Sequence, residues 1–301
     1  QTATIDTTTL IQGFKITNGG NVGKGGGILL YNVSPKLIGL SIFNNTTTFT
    51  WPNRMGGGIY MTNSNPILRE VSIENNSSWQ GSGLSLYSSN PTLTNVEINN
   101  NYGNSANSEG GGIYLDESSS PILNYVLIKG NTAENGGGIQ IDGSSLTLNN
   151  ILIEGNSAGS SGGGLRILYS SPNITNAIIK GNSAGHEGGG ISMIGSSPTF
   201  SNVLIKGNTA ENGGGIFIQG NTSIPSMNDV TIVENFGSNG AGVAFFNSYD
   251  PNFNNVNIVY NNGVGIVLEG SNSTPQISNV NIIGNEIGIR AKSGTNPTIL
   301  N

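Results

Sequence analysis

The chain of 301 residues has no cysteine, one histidine, and a charged fraction of only 9%. The missing cysteines rule out a disulfide framework and fit a secreted protein that folds without one. Acidic residues outnumber basic ones 17 to 11, for a net charge of −6 and a pI near 4.7, which excludes a nucleic-acid surface. No run of about 18 apolar residues is present, so no membrane-spanning helix is expected. Amphipathic helical spacing is also missing throughout. The lone histidine, His186 in AGHEGGG, has no partners in sequence that suggest a Ser-His-Asp triad, and it reads as a solvated loop residue. The Gly-rich runs are followed by strand patterns rather than helices, so they are not phosphate loops. The glycine-rich calcium-binding nonapeptide is missing too.

What the chain has in excess is glycine, 47 residues, and it is periodic. From Pro121 to Gly215 one sentence of sequence is said almost four times: PILNYVLIKGNTAENGGGIQIDGSS, LTLNNILIEGNSAGSSGGGLRILYSS, PNITNAIIKGNSAGHEGGGISMIGSS, PTFSNVLIKGNTAENGGG. A period near 25 residues signals a solenoid or related array. Coil starts fall at Pro35, Pro66, Pro91, Pro121, Leu146, Pro172, Pro198, Pro225, Pro251, Pro275 and Pro297, after a less regular coil from Thr9. The repeat covers nearly the whole chain, and residues 1–301 read as a single domain.

Each coil holds three short strands. The first is G-Φ-x-Φ, as in Gly138-Ile139-Gln140-Ile141; the second is P-x-Φ, as in Pro198-Thr199-Phe200; the third is V-x-I, as in Val203-Leu204-Ile205. Apolar residues alternate within the first and third strands, the period of a half-buried strand. Between the second and third strands the apolar spacing is three, so one residue must leave the strand conformation. It is usually asparagine: Asn95, Asn150, Asn176, Asn202, Asn255 and Asn279. Asparagine tolerates the left-handed region better than other non-glycine residues. Three strands and three turns per coil make one rung of a parallel β-helix, predicting an all-β solenoid of about eleven rungs. Its expected core includes Ile139, Ile141, Leu148, Ile151, Ile153, Leu165, Ile167, Ile174, Ile179, Ile191, Met193, Phe200, Val203 and Ile205. Two ladders are expected along the rod. Glycines from Gly27 to Gly288 each precede a first-strand aliphatic, and asparagines from Asn45 to Asn285 each lie ten residues after a coil start, where stacked amides can bond from rung to rung.

The GGGI, SSPTxxNV and I-x-GN motifs resemble those of secreted right-handed parallel β-helix proteins of bacteria, in the pectin-lyase-like superfamily. They are similar in style to the GGA[IL] repeats of chlamydial polymorphic outer-membrane proteins. The resemblance covers residues 9–301 and implies an extracellular or cell-surface protein. The same shape carries polysaccharide lyases, hydrolases, adhesins and passive stalks. Enzymes of this kind place acids and bases on the first strand and the loop before it. The first outward positions here are Leu29, Tyr60, Ser85, Tyr114, Gln140, Arg166, Ser192, Phe217, Ala244, Val267 and Arg290, with no carboxylate among them. Asp116 and Glu117 neighbour each other in one turn, with no matching pair expected at Asp142 on the next rung. No catalytic residue, metal site or cofactor is therefore assigned, and the chain reads as a non-catalytic structural or adhesive element. The alternatives are a glycan-binding module and a polysaccharide lyase or hydrolase.

Two surface features break the monotony. Long loops at Thr46 to Met55 and Tyr102 to Glu109 bring aromatics close in sequence: Phe49, Trp51, Trp79 and Tyr102, with Tyr60 and Tyr114 on adjoining strands. These six form a candidate ledge for sugar rings, or else a small core of the loops themselves. On the third strand the outward residues Leu127, Leu152, Ile178 and Leu204 form an aliphatic stripe, a candidate lateral interface. Partners are therefore expected to be other copies of this chain, other surface proteins, or glycans. At the ends, residues 1–8 supply at most a partial strand and residues 297–301 an incomplete rung, which suggests a longer parent chain or head-to-tail stacking into filaments.

Overall fold

The computed structural model describes residues 5–48, 54–116, 118–220, 222–247, 251–270, 275–292 and 294–300. The chain winds as an all-β right-handed parallel β-helix, and every named strand pairing among the described residues is parallel. Eleven first strands, from Ile28–Tyr31 to Ile287–Ala291, stack into one sheet. The second and third strands share another sheet. From Thr147 onward the two fuse into bent eight-residue strands: Thr147–Glu154, Asn173–Lys180, Thr199–Lys206, Ser226–Val233 and Asn252–Val259.

The bend works as its sequence demands. Asn95, Asn150, Asn176, Asn202, Asn255 and Asn279 all have φ between 52° and 55°. Glycine takes this place at Gly39, and Glu70, Tyr125 and Asp229 adopt the same conformation without glycine's freedom. With the bend made, both arms of the strand turn their aliphatics inward. All fourteen expected core residues are buried, within one cluster that runs from Leu30 to Ile277.

The asparagine ladder is continuous. Each Nδ2 from Asn45 to Asn261 donates to the Oδ1 of the next rung's asparagine at 2.9–3.0 Å, ending on Asn285. The same nitrogen also donates to a third-strand carbonyl one rung back, as Asn156 does to Ile128. The glycine ladder exists because of this stack. A Cβ on Gly164 would lie 2.7 Å from the carbonyl oxygen of Gly190 and 3.0 Å from Asn182 Nδ2.

Two features go beyond the three-strand rung read from sequence. A serine ladder runs through Ser64, Ser89, Ser119, Ser144, Ser170, Ser196 and Ser223. Each backbone N–H donates to the next serine's Oγ at 3.1–3.2 Å. A third, short sheet follows the asparagines, built from Ser77–Ser78, Tyr102–Gly103, Thr132–Asn135, Ser157–Ser161 and Ser183–Ala184. It packs a small cluster of its own, Ala158, Ala184 and Ala210.

Candidate functional site

The first strands from Ile28–Tyr31 to Val243–Phe246 are four residues long, so each presents two side chains away from the core. The first outward row is the one read from sequence. Paired register adds a second row two residues on: Tyr31, Thr62, Tyr87, Asp116, and then Asp142, Leu168 and Ile194. On the other side of the first row runs a column of bridged residues just before the glycines: Lys24, Met55, Gln80, Glu109, Asn135, and then Ser161, Glu187, Asn212 and Asn239. These three columns form a trough over the first-strand sheet.

The floor of the trough is the first row, and it is closed over most of its length, opening at Leu29, Arg166 and Arg290. Tyr60, Ser85, Tyr114, Gln140, Ser192, Phe217, Ala244 and Val267 are buried, although they point away from the main core. Flanking side chains and neighbouring rungs cover them. Among the expected aromatic residues, Tyr60 and Tyr114 therefore lie in this floor rather than on an open ledge. Lys24 Nζ sits 4.9 Å above the centroid of the Tyr60 ring and donates to its hydroxyl at 3.3 Å. Tyr102 is half exposed on the short third sheet. Trp79 lies between that sheet and Gln80, with its indole Nε1 donating to the Asn107 carbonyl at 3.0 Å. Phe49 and Trp51 lie outside the described residues. The candidate ledge is thus divided between two sheets.

The middle of the trough is acidic, which corrects the expectation that the first-strand face carries no carboxylate cluster. Asp116 and Asp142 occupy the second outward row on adjacent rungs, because Leu115 pairs with Ile141. Their backbones stand one strand spacing apart, about 4.8 Å. Glu109 faces them from the opposite column, held by Gln80 Nε2 at 2.7 Å. Glu187 lies in that column three rungs further on and accepts from Ser161 Oγ at 3.2 Å. Glu117, the other member of the expected turn pair, is outside the described residues. Arg166 Nη1 donates to Gln140 Oε1 at 3.5 Å on the floor, in the field of Glu109, Glu187 and Asp142.

Electrostatics follow from this crowding. Burial first, then Asp116 and Glu109, raise the Asp142 carboxyl above its ordinary value, with Arg166 opposing. Burial, then Glu109, Asp116 and Asp142, hold the proton on the Tyr114 phenol. Burial works against the charge on Arg166. No group of three or more ligating side chains suited to a metal ion occurs among the described residues.

Two cavities lie on the same sheet at either side of the acidic centre. One, of about 450 Å³, is lined by Lys24, Leu29, Tyr31, Met55, Tyr60, Thr62 and Tyr87. The other, of about 230 Å³, has Phe217, Phe246, Gln219 and Val267 with the Glu269–Lys292 pair, whose Oε2 and Nζ are 2.6 Å apart. Away from the trough, the aliphatic stripe is in register: Leu127, Leu152, Ile178 and Leu204 pair successively across four rungs. Ile178 is exposed and the other three are half-buried.

A parallel β-helix with a long trough over its first-strand sheet defines the class of protein. The chain belongs to the right-handed β-helix region family, whose model matches residues 3–177 and 173–301. Among solved structures it is similar to PfbA, a surface adhesin of Streptococcus pneumoniae. That match has 13% identity and a TM-score of 0.50, covering 93% of this chain and 77% of PfbA. It is also similar to the catalytic domain of a GH87 alpha-1,3-glucanase in complex with tetrasaccharides. There identity is 12% and the TM-score 0.41, over 94% of this chain and 64% of the other. No curated protein matches the chain by sequence.

Proposed function

We propose that this β-helix is an extracellular, surface-associated binding protein that holds an extended glycan along the first-strand trough. The observation that carries this reading is the trough itself. One continuous sheet aligns an aromatic cavity, an acidic centre and a second aromatic cavity along the rod axis. Aromatic rings with a polar rim suit sugar rings, which present an apolar face and a hydroxyl edge. A linear polymer laid along the rungs would meet all three regions at once, and a compact ligand would not.

Glycan-array binding tests the reading, using the wild type and the separate variants Tyr31→Ala and Phe246→Ala. These side chains border the two cavities without belonging to the main core. Loss of about tenfold in affinity, near 1.4 kcal/mol, is expected in each with the fold intact. Unchanged binding in both would remove the trough from consideration.

A second reading is favoured by one observation, the pair Asp116 and Asp142. Retaining glycosidases use two carboxyl groups about 5–5.5 Å apart, one of them held protonated by its surroundings. Asp116 and Asp142 stand on adjacent rungs, and burial with the neighbouring carboxylates raises Asp142 above its ordinary value. In this reading Asp142 would protonate the leaving oxygen and Asp116 would be the nucleophile. Release of reducing ends from a bound glycan, abolished by Asp142→Asn, would establish hydrolysis. Binding without turnover keeps the protein an adhesive element.

A further inference from the structure

The charge balance of the trough is uneven along its length. At one end Lys24 lies over Tyr60, and at the other Lys292 pairs with Glu269. In the middle, among the described residues, four carboxylates, Glu109, Asp116, Asp142 and Glu187, face a single guanidinium, Arg166. Like charges held together in a half-buried site repel one another, and a ligand that brings positive charge relieves the repulsion. A polyuronate laid over the same residues would add to it.

The floor beneath these carboxylates supplies an independent observation. Gln140 and Ser192 are fully buried in the outward row, two rungs apart with Arg166 between them. Gln140 Nε2, Arg166 Nε and Ser192 Oγ have no hydrogen-bond partner. A buried polar atom left unpaired costs about 1–3 kcal/mol. All three can donate, and half-buried Arg166 is the point where this floor opens to the trough, so the floor calls for a ligand rich in acceptor oxygens at that point, and the wall above it calls for cationic groups. A sugar with hydroxyls and a free amine offers both; a basic peptide offers the cations without a hydroxyl on every unit.

We propose that the central trough selects a polymer of basic amino sugars, with protonated amines against Glu109, Asp116, Asp142 and Glu187 and hydroxyls over the Gln140–Arg166–Ser192 floor. The proposal rests on the glycan-binding reading of the trough.

Calorimetric titration at pH 6 and low salt tests it with four probes: hexameric glucosamine, hexameric N-acetylglucosamine, hexameric galacturonate and hexalysine. Glucosamine hexamer is expected to bind at least tenfold more tightly than the other three, with affinity falling as salt rises. The double variant Asp116→Asn/Asp142→Asn should lose at least tenfold. Glu70→Gln/Glu97→Gln removes the same charge from exposed positions on another face and should stay within twofold of wild type. Thermal melts show whether each variant is folded; if the aspartate pair does not fold, Glu187→Gln alone replaces it, with the same direction of change expected. Acetylated or galacturonate hexamer binding as tightly as the amine form overturns the selectivity and leaves glycan binding standing. Equal binding of hexalysine, or equal loss in both double variants, reduces the effect to general charge attraction and overturns it as well. Failure of all saccharides here and on the glycan array overturns the trough reading itself.

Discussion

Asn156 shows what one side chain can hold in this protein. Its amide donates to Asn182 Oδ1 at 3.0 Å and to the Ile128 carbonyl at 3.0 Å, and its own Oδ1 accepts from the backbone and side chain of Asn131. Asn156→Ala leaves those buried partners unpaired, so a loss of about 2–5 kcal/mol is expected in denaturant melts. A loss under about 0.5 kcal/mol would mean the ladder is ornamental. Asp142 has the opposite sign. Its folded pKa is raised, so the native state binds the proton more tightly than the unfolded chain. Stability from this group therefore falls as pH rises from the ordinary carboxylate range through the raised value, and the cost persists at neutral pH. Asp142→Asn should raise the melting temperature at pH 7, and the gain should shrink at about pH 3, where the unfolded carboxyl is also largely protonated. Equal gains at both pH values would show that charge is not the cause.

At the scale of the element, the bend between second and third strands decides the rung. Asn150 has φ of 55° inside the strand Thr147–Glu154, with Leu148 and Ile151 buried on either side. Asn150→Val should cost about 1–2 kcal/mol, because a β-branched residue is forced into the left-handed region, and Asn150→Gly should cost less. Equal costs in thermal melts would contradict the conformational account. Ile153 lies at the inner face of the same strand and is fully buried. Ile153→Asp places an unpaired charge in the core and should prevent recovery of folded protein. The first strand carries an equally strict rule at Gly164, where a Cβ would meet both the next rung's backbone and the asparagine stack.

Across the whole molecule each rung touches mainly its neighbours, so stability accumulates along the rod and local opening is expected where neighbours contribute least. Leu165 and Ile167 on a central rung are fully buried, whereas Ile287 and Ile299 are 43% and 56% exposed. Amide exchange should accordingly be slowest in strands such as Leu165–Leu168 and fastest in Ile287–Ala291 and Thr298–Ile299. Uniform protection along the rod would show that it opens as a single cooperative unit. The proposed binding surface is spread along the same axis, since the two cavities and the carboxylates between them draw on most of the first-strand sheet.

Sequence periodicity alone determined the parallel β-helix, the asparagine bends, the two ladders it named and the inward aliphatics. Each of these depends on a residue's place within one rung, and every rung repeats that information. The serine ladder was equally available in the recurring SSP motif, but a hydroxyl's partner shows only when rungs are stacked. The trough was not legible in this way. Asp116 and Asp142 are 26 residues apart, and only pairing of Leu115 with Ile141 makes them neighbours. Their row is the second outward position of a four-residue strand, one step past the G-Φ-x-Φ pattern that sequence defines. Depth was hidden for the same reason: Tyr60 and Tyr114 point away from the core, yet side chains from other columns bury them. Alternation tells which way a side chain points, but what lies above it is decided by turns of unequal length stacking into register.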